Sequence, residues 1–326
     1  MKRQHFVRLL AAAACTAAVL QAAPAAAQNY PARPVKIVVP FAVGGPADVF
    51  ARFLAQRLPE HLGGSFVVEN KPGAGAVIGT DQVAKSPPDG YTLLLMSNTH
   101  TVNETLVQNK PYDLTRDFVA VAPINYSDLV LVAHPSMGAS NVRDLVKAAR
   151  ERPGRMNYAS SGTGTPYHMA GELFKSMSAT RIVHIPYKGS SGARTDVLGG
   201  QVDMMFDAVT TMTEHVKAGK VKAIATTGKE RSAVLPDVPT VAESGVPGYE
   251  ATIWLGLLAP KGTPAAVVTR LNEAVTKIVS NPEVRQAWAK QGATPLVMNP
   301  QAFDKYVQDD IQKWAKVIKS ANIKAD

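Results

Sequence analysis

A repeated order of strand, glycine loop and helix, starting at Val35, limits this chain more than any one residue does. Val35 to Val39 is a strand-forming run, Phe41 to Pro46 a loop, and Ala47 to Leu58 a helical stretch. The unit then repeats. Phe66 to Val68 is a short strand, Asn70 to Gly75 a loop, and Ala76 to Ala84 a helix that stops before the turn Pro87-Pro88-Asp89-Gly90. Thr92 to Met96 is a third strand, leading into Ser97-Asn98-Thr99. Strands and helices alternating at these lengths join by right-handed crossovers into a parallel sheet covered on both faces. Loops at the carboxyl ends of such strands gather along one edge, so these three loops are expected to converge on one crevice.

A second series follows Val119 to Ile124: strand Leu129 to Ala133, helix Val142 to Arg150, strand Met156 to Ala159, then the loop Ser160-Ser161-Gly162-Thr163-Gly164-Thr165. Thr165 fits an N-cap and Pro166 the first helical position, where its missing N–H costs nothing. Strand Ile182 to Ile185 leads into Tyr187-Lys188-Gly189, and strand Val202 to Phe206 into Asp207. After the proline-rich passage Leu235 to Pro247 the chain returns to the first series near Ile253 to Ala259. Helices from Pro264 to about Ser280 and from Pro300 to about Ala321 complete that series, which makes the first lobe discontinuous. In the last helix Phe303, Val307, Ile311, Trp314 and Val317 form a core-facing stripe.

The N-terminus reads as an export signal. Lys2, Arg3 and Arg8 precede an apolar stretch from Leu9 to about Gln21, and Ala25-Ala26-Ala27 supplies the small residues that signal peptidase needs. Cleavage after Ala27 removes 27 of the 326 residues and leaves 299, enough for two lobes with separate cores. The sole cysteine, Cys15, lies inside the stretch, so a lipoprotein reading needs a cut before it and leaves residues 16–27 as a tether. The Ala25 to Ala27 site downstream favours the ordinary signal. A chain cut there has no cysteine, which excludes disulfides, thiolate metal sites and cysteine nucleophiles. Losing Lys2, Arg3 and Arg8 lowers the net charge from +9 to +6, a mild excess that favours the approach of anions. The basic residues are scattered, without the patch or aromatic platform of a nucleic-acid binder.

Three loops carry the candidate chemistry. Gly44-Gly45 brings strand one into a helix through Pro46, which either exposes backbone N–H groups at a positive helix end or only turns the chain tightly. Gly73-Ala74-Gly75-Ala76-Val77-Ile78-Gly79 superficially matches a dinucleotide fingerprint, but it follows the second strand and no acidic residue closes the next one. Gly73 and Gly75 better serve close backbone approach to a small ligand. In the third loop, Ser161 and His168 suggest a nucleophile and its base, yet no Gly-x-Ser-x-Gly elbow surrounds Ser161. Hydroxyl and amide donors to an anion fit that loop better.

His100, His134, His168 and His184 show no metal-ligand spacing, and no metal or cofactor is expected. Tyr187 and Lys188 bring a phenol and a cation to the crevice, or a solvated lysine beside a loop glycine. Asp48 and Asp207 accept from ligand hydroxyls or cap local turns.

In order along the chain, YPARPVKIVVPFAVGGPADVFAR, VVENKPGAGAVIGT, PPDGYTLL, SSGTGTPYHMAGELFK, VHIPYKGS, GGQVDMMFD and LPDVPTVAESGVPGYEATIWLGLLAPKGTP closely resemble the extracytoplasmic receptors of the tripartite tricarboxylate transporter system, the Bug receptors. The resemblance covers nearly the whole mature chain. It implies an α/β, two-lobed periplasmic binding protein fold of type II-like form, each lobe a doubly wound sheet, joined by two crossing strands. The expected division is a signal peptide at 1–27, a discontinuous first lobe at 28–127 and 251–326, and a second lobe at 128–250.

The implied function is non-enzymatic capture of a small carboxylate by a periplasmic monomer: a di- or tricarboxylate, an acidic amino acid or an aromatic carboxylate. The ligand would then be handed to membrane permease subunits. Carried over to matching positions, the ligand-binding residues are Phe41, Gly44, Gly45, Pro46, Asp48, Ala74, Gly75, Ala76, Ser97 and Thr99 from the first lobe, and Ser161, Thr163, Gly164, Thr165, His168, Tyr187, Lys188 and Asp207 from the second. Ala76 stands where the family often has glycine, and Asn98 and His100 also depart from its pattern, which bears on the ligand rather than the fold. Two other classes remain: a periplasmic hydrolase using Ser161 and His168, and a ligand-sensing partner of a membrane kinase.

Overall fold

The computed structural model describes residues 30–324; the expected signal peptide, with Cys15 and the expected cleavage site after Ala27, lies outside them. Two sheets share one strand. The first lobe orders its strands β2-β1-β3-β9-β4, where β1 is Val35–Val39, β2 Phe66–Asn70, β3 Thr92–Ser97, β4 Phe118–Ala133 and β9 Thr252–Pro260. β1, β2 and β3 run parallel, whereas β9 runs antiparallel to both of its neighbours, β3 and β4, so the sheet is mixed rather than purely parallel. In the second lobe β4 continues between β7 (Met204–Ala208) and β8 (Lys222–Thr226), and β5 (Asn157–Ser160) and β6 (Val183–Pro186) follow in parallel with β7.

Alternation along the strands shows why helices must cover both faces. Val35, Ile37 and Val39 of β1 enter one core while Val38 enters another, and Leu93 and Leu95 of β3 likewise oppose Leu94 and Met96. Leu129, Leu131 and Ala133 of β4 oppose Val130 and Val132 in the second lobe. Strands buried on both faces need helices on both sides. In the first lobe these include α1 (Pro46–Leu62), α2 (Val77–Ala84), α3 (Asn98–Leu106) and, after a short α4 (Leu114–Asp117), the C-terminal pair α9 (Ala265–Ser280) and α10 (Pro282–Ala289), with a closing α11 (Pro300–Ser320). In the second they are α5 (Val142–Glu151), α6 (Pro166–Ser178), α7 (Ser190–Leu198) and α8 (Val209–Lys217). A short strand, β10 (Ala293–Pro295), pairs with β4. Among the described residues no helix is long and apolar enough to cross a membrane.

Val119 to Ile124 and Leu129 to Ala133, which read as separate strands, are one 16-residue strand. Its pairing with β9 runs to Asp128 and its pairing with β7 starts at Leu129. The second crossing, at Ala251, is pinned beside the first by Thr227. Its Oγ1 accepts from Leu129 N at 2.8 Å and donates to Ala251 O at 2.6 Å. Backbone bonds from Thr227 N to Leu129 O and from Ala251 N to Thr227 O, both 3.0 Å, complete the clamp.

Candidate functional site

The cleft between the lobes is closed. A β-carbon on Gly189 would stand 2.6 Å from the Ala42 β-carbon, one on Gly75 would stand 2.6 Å from Thr163 O, and one on Gly45 would stand 2.9 Å from Ser190 Oγ. At Gly75 and Gly189 glycine lets the opposing backbones approach, while at Gly45 the near neighbour is a hydroxyl. Beside the cleft, Met169 of α6 packs with Val102 and Leu106 of α3 and with Trp314 and Ile318 of α11.

The first wall is built around Asp48. Its Oδ2 accepts from Gly44 N at 3.0 Å, and its Oδ1 accepts from Asn70 Nδ2 at 3.0 Å and from Arg52 at 2.9 Å. Burial raises the affinity of this carboxyl for a proton, but the bonds from Arg52, Gly44 and Asn70 outweigh it and hold it below the usual carboxylate range. Asp48 therefore shapes the loop, with Gly44 at φ 80°, rather than offering an acceptor to a ligand. What the loop presents is the start of α1: Gly45 occupies the N-cap and no side chain caps the helix.

The second loop holds three successive left-handed residues, Ala74 at φ 47°, Gly75 at 58° and Ala76 at 75°. Two are alanines, for which this region is strained. The turn directs its carbonyls inward: Ala74 O accepts from Val77 N and Gly75 O accepts from Asn103 Nδ2 at 2.8 Å.

The hydroxyl loops mostly serve themselves. Ser97 Oγ accepts from Thr99 N, and Ser97 N donates to His100 Nδ1 at 3.2 Å, closing a capping box at the start of α3. Thr99 Oγ1 is 2.9 Å from Ser97 Oγ. Thr165 caps α6 by accepting from His168 N and donating to Gly162 O at 2.6 Å, while His168 Nδ1 accepts from Gly164 N at 3.1 Å. His168 also stacks on His184, ring centroids 4.2 Å apart. The serine that meets a histidine is Ser160, fully buried with Oγ 2.6 Å from His184 Nε2, not Ser161.

The far side of the cleft ends in the start of α7. Gly189 is its N-cap and Ser190 its first residue, and again no side chain caps the helix. Tyr187, just before it, donates to Asp196, and Lys188 is exposed at the rim. Asp207 is wholly buried and ion-paired with Arg194, whose Nε lies 2.7 Å away. From the sequence Gly189 reads only as a loop glycine, and neither Ser190 nor Arg194 is singled out.

Two hollows lie between the walls. An inner chamber encloses about 20 Å³, little more than one water. Phe41, Gly45, Pro46, Ser97, Thr99, Ser161, Tyr167 and Ser190 line it, with Ile253 and Leu255 of β9 behind. An outer hollow of about 250 Å³ is lined by Ala74, Gly75, Ala76, Thr163, Tyr187 and Lys188, and shares Phe41 and Ser161 with the inner one. Gly44, Asp48, Gly164, Thr165, His168 and Asp207 line neither hollow and support those that do. Among the described residues no group of His, Cys, Asp and Glu is placed to hold a metal.

The family model described as the tripartite tricarboxylate transporter family receptor matches residues 50–323. The chain belongs to this receptor family. Among curated relatives the receptor is 39% identical to Protein BugT of Bordetella pertussis over 305 residues, 93% of this chain and 94% of that protein. Among solved structures it is similar to the periplasmic binding protein BugD, with 37% identity and a TM-score of 0.87, covering 91% of this chain and all of that one. An R. palustris protein solved with adipate gives 36% identity and a TM-score of 0.88 over 91% of this chain and all of that one. MatC of Rhodopseudomonas palustris, solved with bound malate, gives 32% and 0.84 over 89% of this chain and all of that one. The receptor thus has the two-lobed fold of a periplasmic solute-binding protein.

Proposed function

We propose that this receptor captures a small carboxylate between the uncapped N-termini of α1 and α7 and releases it to the membrane subunits of a tripartite tricarboxylate-type permease, without chemistry. One observation carries the reading. Two helix starts, one from each lobe, meet across the cleft at Gly45 and Ser190, both without a side-chain cap and both lined with buried residues, Ala47 and Ser190. The first N–H groups of a helix have no intrahelical partner, and each end carries about half a positive charge. Closing the lobes brings these like ends together, and an anion between them reverses the sign of that interaction. The ligand therefore favours closure, with the bend at the crossings clamped by Thr227. The adipate and malate of the two solved relatives support a carboxylate.

The lobes we infer are 28–127 with 251–326, and 128–250; the change of β4's pairing partner at Asp128 and Leu129 supports that division. The N-terminal sequence supports export to the periplasm and cleavage after Ala27. The self-satisfied Thr165 and His168, and a buried Ser160 as the histidine-bonded serine, speak against the hydrolase.

Thermal denaturation of the mature chain against dicarboxylates, citrate, acidic amino acids and aromatic acids tests the reading. A ligand at a hundred times its Kd stabilises by about 2.7 kcal/mol, which raises Tm by about 4 °C or more in at least one class. A flat response across all of them sinks it.

A further inference from the structure

Two sides of α6 are buried in different lobes. Tyr167, Ala170 and Phe174 share one side of the helix and enter the second-lobe core. Met169 leaves the helix on another side and is also fully buried, but in a separate cluster. The remaining buried members of that cluster are Val102 and Leu106 of α3, Trp314 and Ile318 of α11, and Ile323 just beyond α11. All five belong to the first lobe. Met169 thus lies outside the core of its own lobe and owes its burial to the other one.

The contact continues toward the cleft. In the loop leading into α6, a β-carbon on Gly164 would stand 2.5 Å from Asn103 Oδ1 and 3.5 Å from Leu106 Cδ2, so this loop also lies against α3. Asn103 in turn donates through Nδ2 to Gly75 O at 2.8 Å, and Gly75 lines the outer hollow. Seating Met169 therefore fixes the same spacing between lobes that shapes that hollow. Yet neither Met169 nor any of the five residues around it lines the inner chamber or the outer hollow. Methionine suits such a joint, because an unbranched, flexible side chain fills an irregular gap between helices and can leave it again.

We propose that Met169 is an interlobe latch, an apolar knob that holds the lobes together from outside the ligand site and so sets how long the receptor keeps its solute. It is a positioning residue and touches no ligand. When the lobes part, the side chain leaves its socket and meets water, so the apolar area it buries favours only the closed state. The latch acts on whatever the cleft holds and goes beyond the carboxylate reading.

Stopped-flow and calorimetric binding of adipate and malate to the mature chain, with small-angle X-ray scattering of the free protein, tests this. M169A removes the knob but keeps a strong helix former outside the second-lobe core, so the lobe still folds; M169L keeps the volume. In M169A the Kd of an acid that binds the unaltered receptor rises about tenfold or more, carried by faster dissociation, and the radius of gyration of the free protein increases. M169L stays within about threefold of the unaltered receptor. An unchanged Kd in M169A, an equal loss in M169L, or a loss carried by slower association overturns the latch and leaves the anion cradle standing. If neither acid binds the unaltered receptor, that failure belongs to the ligand reading, and scattering alone decides: equal radii for free M169A and the free unaltered protein overturn the latch.

Discussion

Four helices start at the cleft with hydroxyls or glycines, and they divide into two kinds. α3 and α6 begin at Ser97 and Thr165, whose side chains return to their own helices. α1 and α7 begin at Gly45 and Gly189, which have no side chain to do so. The hydroxyl-rich loops look like the richer source of ligand donors, yet Ser97 and Thr165 are engaged at the starts of their own helices, leaving Ser161 and Thr163 to line the hollows. The bare glycine starts keep their N–H groups outward. A side chain that caps a helix removes that end as an anion site, so open binding geometry depends here on what is missing from the residue.

The largest effect expected from this contrast is on the acid stability of the α3 box. His100 is fully buried, and burial, only partly offset by its bond to Ser97, pushes its pKa down from 6.5 to about 4. The unfolded chain takes up the proton first as pH falls. The stability held in the neutral imidazole is complete above pH 6.5 and is lost progressively toward pH 4, about 3 kcal/mol at 1.36 kcal/mol per pKa unit. H100Q removes that dependence, so the stability gap between the two proteins, followed by urea denaturation, narrows by about that amount from pH 7 to pH 4. A constant gap would mean the box does not depend on a neutral ring.

A smaller effect tests the open starts. Gly189→Ala adds a β-carbon 2.6 Å from that of Ala42, in an extended backbone at φ 171° that alanine tolerates. The lobes must part, and carboxylate affinity is expected to fall about thirtyfold, about 2 kcal/mol, with Tm of the free protein unchanged. Unaltered affinity by calorimetry would break the comparison. Thr165→Ala should do the reverse, costing about 1 kcal/mol of stability as a lost cap while affinity changes less than threefold. A larger affinity loss than stability loss would return Thr165 to the ligand.

The fold was largely legible because its signals are periodic: buried β-branched runs, glycine loops, and the stripe that places Phe303 and Val307 in the core. β4 was split in two because Asn125, Tyr126, Ser127 and Asp128 interrupt an apolar run, although they continue the ladder opposite β9. The first-lobe half of the site could be read from Gly44-Gly45. The α7 half could not, since Ser190–Leu198 has little apolar periodicity and buries only Ser190, Ala193 and Val197. A lone arginine in such a stretch reads as solvated, and its pairing with Asp207 exists only in space.

The shared strand has a consequence for the chain as a heritable object. Exchanging a lobe would leave β9 and β7 each paired with its own half of β4, but both crossings would have to be rejoined in register, β4 between Asp128 and Leu129 and the return at Ala251 beside Thr227. A recombined descendant cannot acquire a new half-site by exchanging a lobe cleanly. New ligand preferences must come by substitution in the loops, on a frame that is inherited whole.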